Sequence, residues 1–269
     1  MNIEFSPLLS RQWNALRIEL FDSGYARLGT EWNQEHLSPP FSRLYYITGG
    51  AGVVEGGGQR LSLEPGFVYL LPLHLSLRYG CAEEIEQVYF HIAARTDAGF
   101  DLFSHCKQML RLPMSCPCAQ IRDAYRAGNY LQTALLECQV RSDLYRLIAA
   151  AGLEEKMLAP HSAFLQRVFS VVRQHLRSSL TLGEIAGYLS LSESSLTKRF
   201  RQEFGMPLGR YVDEMLFQEV CHLLAATSLT VSEIAERLDF CDQFYLARFF
   251  SRRQGVPPRA YRAASQGRI

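Results

Sequence analysis

The sequence predicts a two-domain α+β protein, with a β-barrel in its N-terminal part and an all-helical domain in its C-terminal part. Residues 15–95 are rich in Tyr, Val, Ile and Leu. Gly or Pro interrupts them about every 8–12 residues, as in antiparallel barrels and sandwiches. From about residue 98 onward, apolar residues recur at helical spacing. The last third also carries a degenerate repeat, because TLGEIA at 181–186 recurs as TVSEIA at 230–235.

The composition is that of a globular protein able to bury a full core. The chain has 269 residues, of which 48% are hydrophobic and 20% are charged, and this length suits one or two domains. No apolar run approaches the roughly 20 residues of a membrane span. The N-terminus, MNIEFSPLLSRQW, has neither the basic start nor the apolar core of a signal peptide. We therefore expect a cytoplasmic protein that does not bind membranes.

The seven cysteines do not predict a disulfide framework, since their number is odd and they are widely spread. Cys116 and Cys118 are the two cysteines that lie close together in the sequence. A zinc role for this pair needs a second Cys or His pair at zinc-site spacing, which the sequence lacks. We expect small buried or incidental thiols, and neither a metal nor another cofactor.

The small net charge of +1 hides an asymmetry between the two halves of the chain. Residues 1–160 carry 14 Lys and Arg against 17 Asp and Glu, whereas residues 161–269 carry 14 against 10. A modest basic excess in the C-terminal half suits a module that binds phosphate groups, although it does not establish one.

Two helices are predicted directly after the strands, over residues 119–128 and 131–151. In the second, a stripe of apolar and small residues lies on roughly one face. The stripe consists of Leu131, Leu135, Cys138, Ser142, Tyr145, Ile148 and Ala149. Such a helix can close the barrel domain or pair with a second subunit, and the sequence favours neither alternative.

The predicted domain boundary lies in the segment GLEEKMLAPHS at 152–162, which is charged and then broken by Pro160. We therefore place the N-terminal domain at 1–153, a linker at 154–161 and the helical C-terminal domain at 162–269.

Each copy of the repeat has clear signals for where its helices begin and end. Thr181 with Glu184, and Thr230 with Glu233, have the T-x-x-E spacing of a capping box. A glycine ends a later helix in each copy, and a proline follows two residues on. The offset between the copies is 49 residues at first and 50 afterwards, so the second copy contains one extra residue between its two helices.

The two copies predict two helix-turn-helix units. In each, an Ile-Ala pair on the first helix and a Leu-x-x-x-Phe stripe on the second form the inward face (Leu196 and Phe200, then Leu246 and Phe250). Short polar residues and cations remain on the outer face of the second helix, which can enter a DNA major groove. The outward candidates are Ser194, Thr197, Lys198 and Arg201 in the first unit, and Gln243, Tyr245, Arg248 and Arg252 in the second. We expect Arg252 and Arg253, at the end of the second helix, to meet phosphates.

Residues 161–264 resemble the DNA-binding domain of the AraC/XylS family of transcription regulators. The resemblance rests on the EIA motifs, the Leu-x-x-x-Phe stripes, F-G-x-P, the tyrosine at 211 and the closing G-x-P-P-x-x-Y-R that ends at Arg262. It implies double-stranded DNA and RNA polymerase as partners, and two units that read adjacent major-groove segments. By position, it makes Ser194, Thr197 and Lys198, with Gln243, Tyr245 and Arg248, the readers.

Three residues depart from the family pattern. Leu216 stands where arginine is usual, Val220 where alanine is usual, and Asp239 where glycine is common. Asp tolerates a left-handed backbone better than most residues do. These departures put one phosphate contact and the angle between the units in doubt, but not the family resemblance.

The N-terminal strands are more weakly similar to the cupin-like sensing domain that often accompanies this module, and the resemblance implies a small-molecule effector inside the barrel. His36, His74 and His91 are scattered without an H-x-H motif, so a metal-dependent cupin enzyme is not expected. A Trp or Tyr face beside an arginine suits a sugar or a carboxylated aromatic molecule; alternatively, the tyrosines simply fill the barrel. The candidate effector-binding residues are Arg27, Trp32, Arg43, Tyr45, His74, Arg78 and Tyr89.

The sequence thus predicts a dimeric, DNA-binding transcription regulator, an activator by its resemblance, whose barrel senses a small molecule and controls DNA binding or dimer geometry. A regulator of the same family that needs no ligand, or that a partner protein controls, is the first alternative. A cupin-type metal enzyme fused to a helical domain is the second.

Overall fold

The computed structural model describes residues 16–36, 41–73 and 75–266, which form two compact units. An antiparallel β domain comes first and an all-helical domain follows, which confirms the predicted fold class. Within the described residues, unit 1 contains those up to Arg95 together with Asp101–Leu158, and unit 2 contains Thr96–Phe100 together with residues 159–266.

The strands of unit 1 form two sheets. They are Leu16–Leu28 (β1), Gln34–His36 (β2), Ser42–Gly50 (β3), Gly52–Gly56 (β4), Gln59–Leu63 (β5), Phe67–Leu71 (β6), Leu77–Gly80 (β7), Ile85–Thr96 (β8) and Leu110–Pro113 (β9). One sheet has the order β1-β8-β3-β6-β9 and the other β2-β7-β4-β5. In the larger sheet β3 is antiparallel to both neighbours, with Arg43 opposite His91 and Tyr45 opposite Tyr89 in β8.

The five-stranded sheet is covered on both faces. Inward-pointing residues of both sheets, such as Tyr45, Tyr69 and Tyr79, share one apolar core, which we call the barrel interior. The opposite face carries Leu44 and Tyr46 and packs against two helices, Cys118–Ala127 (α1) and Tyr130–Ala150 (α2). The period-two alternation of β3 therefore divides its residues between two cores.

Helix α2 packs on the sheet through a face that only partly overlaps the predicted stripe. Leu136, Val140, Leu144 and Leu147 are buried against the sheet. The N-terminal part of the stripe, from Leu131 to Ser142, remains exposed, whereas Ile148 near its C-terminal end is buried in the same core. The N-terminal half of the helix is therefore apolar on two sides, and the side that closes the domain there is not the one that the predicted stripe indicated.

The boundary between the units differs from the predicted one at two places. Residues 154–158, assigned to a linker, form a short helix, Glu154–Leu158 (α3), whose Met157 is buried in the core of unit 1. The segment Thr96–Phe100 belongs to unit 2, because Ala98 and Phe100 pack into its first core and the Tyr211 hydroxyl donates a hydrogen bond of 2.8 Å to the Ala98 carbonyl.

Unit 2 is built from seven helices within the described residues. They are Ala163–His175 (α4), Leu182–Tyr188 (α5), Glu193–Phe204 (α6), Leu208–Ala226 (α7), Val231–Arg237 (α8), Gln243–Gln254 (α9) and Pro258–Gln266 (α10). They enclose two cores, one around α4–α6 and one around α8–α10. Helix α7 supplies Leu208, Tyr211 and Val212 to the first core and Leu216 and Val220 to the second, so both cores are built on one helix.

Three further findings concern membranes, metals and thiols. Among the described residues, no helix is long and apolar enough to cross a membrane. The same residues contain no group of three or more His, Cys, Asp or Glu side chains that could hold a metal ion. Cys81 and Cys221 are buried thiols, whereas Cys138 and Cys241 are exposed.

Candidate nucleic-acid interface and barrel interior

The first helix-turn-helix unit consists of α5, a short turn and α6. The predicted capping box is present: Glu184 N–H donates to the Thr181 hydroxyl at 3.2 Å, and Thr181 N–H donates to the Glu184 carboxylate at 2.8 Å. The Thr181 N–H and hydroxyl both donate to the Glu184 carboxylate and hold its pKa below the usual value. Leu196 and Phe200 are fully buried, so the inward stripe of α6 fixes which of its faces points outward.

The second unit repeats this construction in α8 and α9, with Thr230 and Glu233 forming the same box. After the C-cap at Leu238, four residues precede α9, against three between Leu189 and α6. The extra residue therefore lies in the turn, as the offset of the repeat predicted. Ser190 and Asp239 occupy the left-handed region at matching positions, with φ of 56° and 55°, which explains why Asp replaces a glycine here.

The predicted readers lie on the outward faces of α6 and α9. Seven are exposed: Ser194, Lys198, Arg201, Gln243, Tyr245, Arg248 and Arg252. Thr197 is partly buried, and its hydroxyl donates to the Glu193 carbonyl at 2.9 Å within the helix. Phe244 is 66% exposed on the same helix as Gln243, and an exposed aromatic ring there suits contact with a thymine methyl group.

The cations of these two helices fall into two groups. Arg199 is paired with Glu203 at 2.6 Å and lies over the Phe164 ring. Arg253 donates to the Asp213 carbonyl at 2.8 Å and lies over Phe249. These two arginines tie their helices to the rest of unit 2.

The outward cations are different. Lys198, Arg201, Arg248 and Arg252 have no ion-pair partner among the described residues. Arg248 lies near the Tyr245 ring at 6.0 Å. Because unpaired cations on one surface attract an anionic polymer, this face has the electrostatics of a phosphate-backbone contact.

A recess beside α6 adds backbone donors to this surface. Thr197, Lys198 and Arg201 line it together with Leu208 and Gly209 at the start of α7. No side chain caps α7, whose N-cap is Pro207. The first N–H groups of a helix favour an anion, so cations and helix N–H groups meet at one place.

The loop between α4 and α5 links the two helix-turn-helix units through polar contacts. Arg177 donates to Glu184 of the first capping box and lies 4.0 Å from the Asp239 carboxylate in the second turn. Ser179 donates to Asp239 as well, and Ser178 N–H donates to the Leu238 carbonyl at 2.7 Å. Asp239, which stands where glycine is common in the family, thus makes a side-chain contact that a glycine cannot make.

The departures at positions 216 and 220 have a simpler reason. Leu216 and Val220 are both buried in the second core. Neither is placed to contact a phosphate, and both contribute apolar surface to the packing of α7.

Of the candidate effector-binding residues, four gather in or at the barrel interior: Trp32, Arg43, Tyr45 and Tyr89. The rings of Trp32 and Tyr79 lie 4.9 Å apart, and the Arg43 guanidinium lies 5.6 Å from the Tyr79 ring. The other three candidates are not placed there. Arg27 is exposed and paired with Glu84, Arg78 is exposed on β7, and His74 lies outside the described residues.

On the barrel-facing side of the larger sheet, three buried polar side chains have atoms that lack a hydrogen-bond partner among the described residues. They are Arg43, at Nη1, Gln87, at both amide atoms, and His91, at both ring nitrogens. Burial, with a further contribution from Arg43, lowers the pKa of His91 to about 3. Sequence reasoning missed Gln87 and His91, although the period of two along β8 places them on the same face as Tyr89.

Comparisons with known proteins agree with this geometry. A family model described as a helix-turn-helix domain matches residues 185–264. The Msm operon regulatory protein of Streptococcus mutans is 23% identical over 83% of this chain and 84% of its own length. The transcriptional activator RhaR of Yersinia pestis is 31% identical over 40% of this chain and 38% of its own length.

One solved structure supports the order of the domains. An apo ToxT variant from Vibrio cholerae aligns with 93% of this chain and 97% of its own, with a TM-score of 0.50 and 13% sequence identity. At this identity the likeness concerns the fold alone.

Two capped helix-turn-helix units, built on one shared helix and carrying unpaired cations outward, define a DNA-binding transcription regulator. Its helix-turn-helix domain, matched over residues 185–264, is of the AraC type, as the resemblance of residues 161–264 implied. Its relatives are regulators and not enzymes, so the alternative of a cupin-type metal enzyme is set aside.

Proposed function

We propose that this regulator reads two adjacent major-groove segments with α6 and α9, and that it activates transcription by recruiting RNA polymerase. The observation that carries the first part is the contrast between cations. Arg199 and Arg253 are neutralised within the fold, whereas Lys198 and Arg248 lie on the outward faces without an ion-pair partner among the described residues. Activation is supported by the name of RhaR, a transcriptional activator.

The test compares Lys198→Ala and Arg248→Ala with Arg199→Ala. All three remove one positive charge, but Arg199 points to Glu203 and Phe164. We expect each outward variant to bind the operator about 1–3 kcal/mol more weakly, and the control to be affected much less. If Lys198 binds a phosphate, its removal lowers the salt dependence of binding. If Arg248 binds a base, its removal relaxes the sequence preference.

Footprinting upstream of neighbouring genes supplies the operator, and electrophoretic mobility shifts at several salt concentrations supply the affinities. If both outward variants bind as tightly as the wild type while Arg199→Ala binds worse, the reading faces are assigned wrongly.

We further propose that the barrel interior senses a small molecule with a carboxylate group. Arg43 is a buried cation without an ion-pair partner among the described residues, and a buried unpaired charge is costly. A carboxylate that accepts from Arg43 removes this cost, while Trp32 and Tyr79 offer faces for an aromatic or sugar ring.

A metabolite panel tests this proposal by thermal shift, with Arg43→Met as the variant that removes the charge but keeps the bulk. We expect a carboxylated compound to stabilise the wild type and not the variant. The barrel interior is also well filled by apolar side chains, which favours the second candidate, a regulator that needs no ligand. If no compound stabilises the wild type, that candidate replaces the sensor.

Helix α2 is proposed as the dimer contact. Its exposed side carries Leu131, Leu135, Cys138 and Ser142, with Leu131 and Leu135 exposed to 62% and 52%. Their spacing alternates between four and three residues, which is the spacing of a two-helix seam. In the arrangement that we propose, a second copy of the same helix covers this side. Binding of an effector then changes which DNA half-sites the two DNA-binding domains of the dimer can contact together.

A further inference from the structure

A groove separates the N-terminal half of α2 from the outer part of the five-stranded sheet, on the side of that sheet opposite to the barrel interior. Its volume is about 550 Å³, within the range of small-molecule sites. Phe90 and Ile92 form a deeply buried floor, and Ile18, Leu136 and Val140 form apolar walls. All of these residues belong to unit 1.

The polar groups at this groove carry no net charge. Glu137 and Arg141 are its charged residues, and they form an ion pair in which Arg141 donates from Nε at 2.9 Å and from Nη2 at 2.8 Å to one Glu137 oxygen. The remaining polar lining groups are hydroxyls, with Ser23 and Tyr125 in contact at 3.4 Å and Thr133 on α2.

This lining discriminates between classes of ligand. A sugar needs many hydrogen-bonding partners, which aliphatic walls do not offer. A carboxylate gains no net attraction from a neutralised pair, and it loses hydration on entering. A hydroxyl or amide can both donate and accept, so it can bond to the second Glu137 oxygen, to Arg141 or to the hydroxyls while the ion pair stays intact.

We propose that this groove is a second small-molecule site, distinct from the barrel interior, that binds an uncharged molecule with an apolar body and a single hydroxyl or amide group. The neutral rim and the apolar floor select this class. The site also explains why Leu20, which lines the groove, is an exposed leucine on an edge strand.

Isothermal titration of the full chain with two probes that share one naphthalene ring and differ in their polar group tests the proposal. At pH 7 1-naphthol is neutral and 1-naphthoate is an anion. We expect one saturable 1-naphthol site per chain, and binding of 1-naphthoate weaker by about tenfold or more, because its charge is buried without a partner. Equal binding of the two probes overturns the ligand class.

Two size-matched variants of α2 test the location. Thr133→Trp places an indole in the groove, and Ala150→Trp places the same indole at an exposed position at the far end of the helix. We expect the first to weaken 1-naphthol binding about tenfold or more by filling the volume, and the second to bind like the wild type. Unchanged binding by a folded Thr133→Trp protein overturns the site. The titrations contain no DNA, so their failure leaves the proposed regulatory function untouched.

Discussion

At the scale of single residues, His91 combines burial with contacts that oppose its protonation. Its ring stacks on Phe41 with a centroid distance of 4.5 Å, and it lies opposite Arg43 in the sheet. A neutral imidazole between a ring and a guanidinium can accept a hydrogen bond without adding charge. The pair therefore presents one permanent cation and one neutral group to the barrel interior.

The stability of the protein should depend on pH through His91. The folded pKa is about 3, against about 6.5 in an unfolded chain. Between these values the unfolded chain takes up a proton that the folded chain does not, so stability falls as pH falls through this window. We expect His91→Phe to remove this destabilisation, which is about 3 kcal/mol at pH 4.

Urea unfolding of wild type and variant at pH 7, 5 and 4 measures the effect as a difference. Burial raises the pKa of Asp101 to about 7, which shifts stability in the opposite direction over part of the same range. Asp101 is present in both proteins, so its contribution cancels in the difference. A difference that stays constant with pH contradicts the pKa assigned to His91.

How far single residues were predictable depended on which face of a strand they occupy. Arg27, Arg43 and Arg78 are similar in sequence context, yet Arg43 alone is buried. Arg27 and Arg78 alternate with inward residues and point to solvent. The alternation itself is visible in the sequence, but which alternate set faces the interior depends on pairing between distant strands.

At the scale of elements, α2 has two apolar sides and only one of them is covered within unit 1. The sequence predicted the helix and its stripe, because spacing suffices for both. It did not predict that Leu136, Val140 and Leu144 would be the buried side. Which side is buried depends on the shape of the sheet on which the helix packs. The residues near the helix in the sequence do not determine that shape.

A charged residue on the uncovered side should dissociate the proposed dimer. Leu135 is 52% exposed, so Leu135→Glu places a carboxylate in solvent in the monomer but in an apolar seam in the dimer. We expect the dimer to weaken by about tenfold or more. Ala150→Glu is the matched control on the same helix. Sedimentation equilibrium measures both, and an unchanged association constant for Leu135→Glu rules out this face.

At the scale of the whole molecule, the order of the domains followed from the sequence, but their limits did not. The segment Thr96–Phe100 follows β8 directly, yet Phe100 stacks on Phe204 and Ala98 accepts from Tyr211 within unit 2. The assignment of this segment to unit 2 depends on contacts between residues that are more than a hundred positions apart in the sequence. The outward faces of α6 and α9 followed from the sequence, whereas the division of their cations into those held by carboxylates and those without an ion-pair partner among the described residues needed the structure.

The two DNA-binding units should not be interchangeable. The outward set of α6 contains Ser194 and Lys198, whereas that of α9 contains Gln243, Phe244 and Arg248. We expect the protein to bind about a hundredfold more weakly to an operator in which the order of the two half-sites is reversed. Each helix then faces bases that it does not match. Competition in mobility-shift assays measures the ratio. Equal affinity for both orders means that the units read the same sequence.

The shared helix α7 has a consequence for the operator itself. Both cores are built on α7, and Arg177 and Asp239 join the two units again at a second point. Two attachments leave little freedom to change the distance between α6 and α9. In the DNA-binding mode that we propose, both the spacing of the two half-sites and their rotational phase around the duplex, which turns once in about 10.5 base pairs, then become part of what is recognised. Inserting half a helical turn between the half-sites moves one of them to the opposite side of the DNA, even though every base is still present.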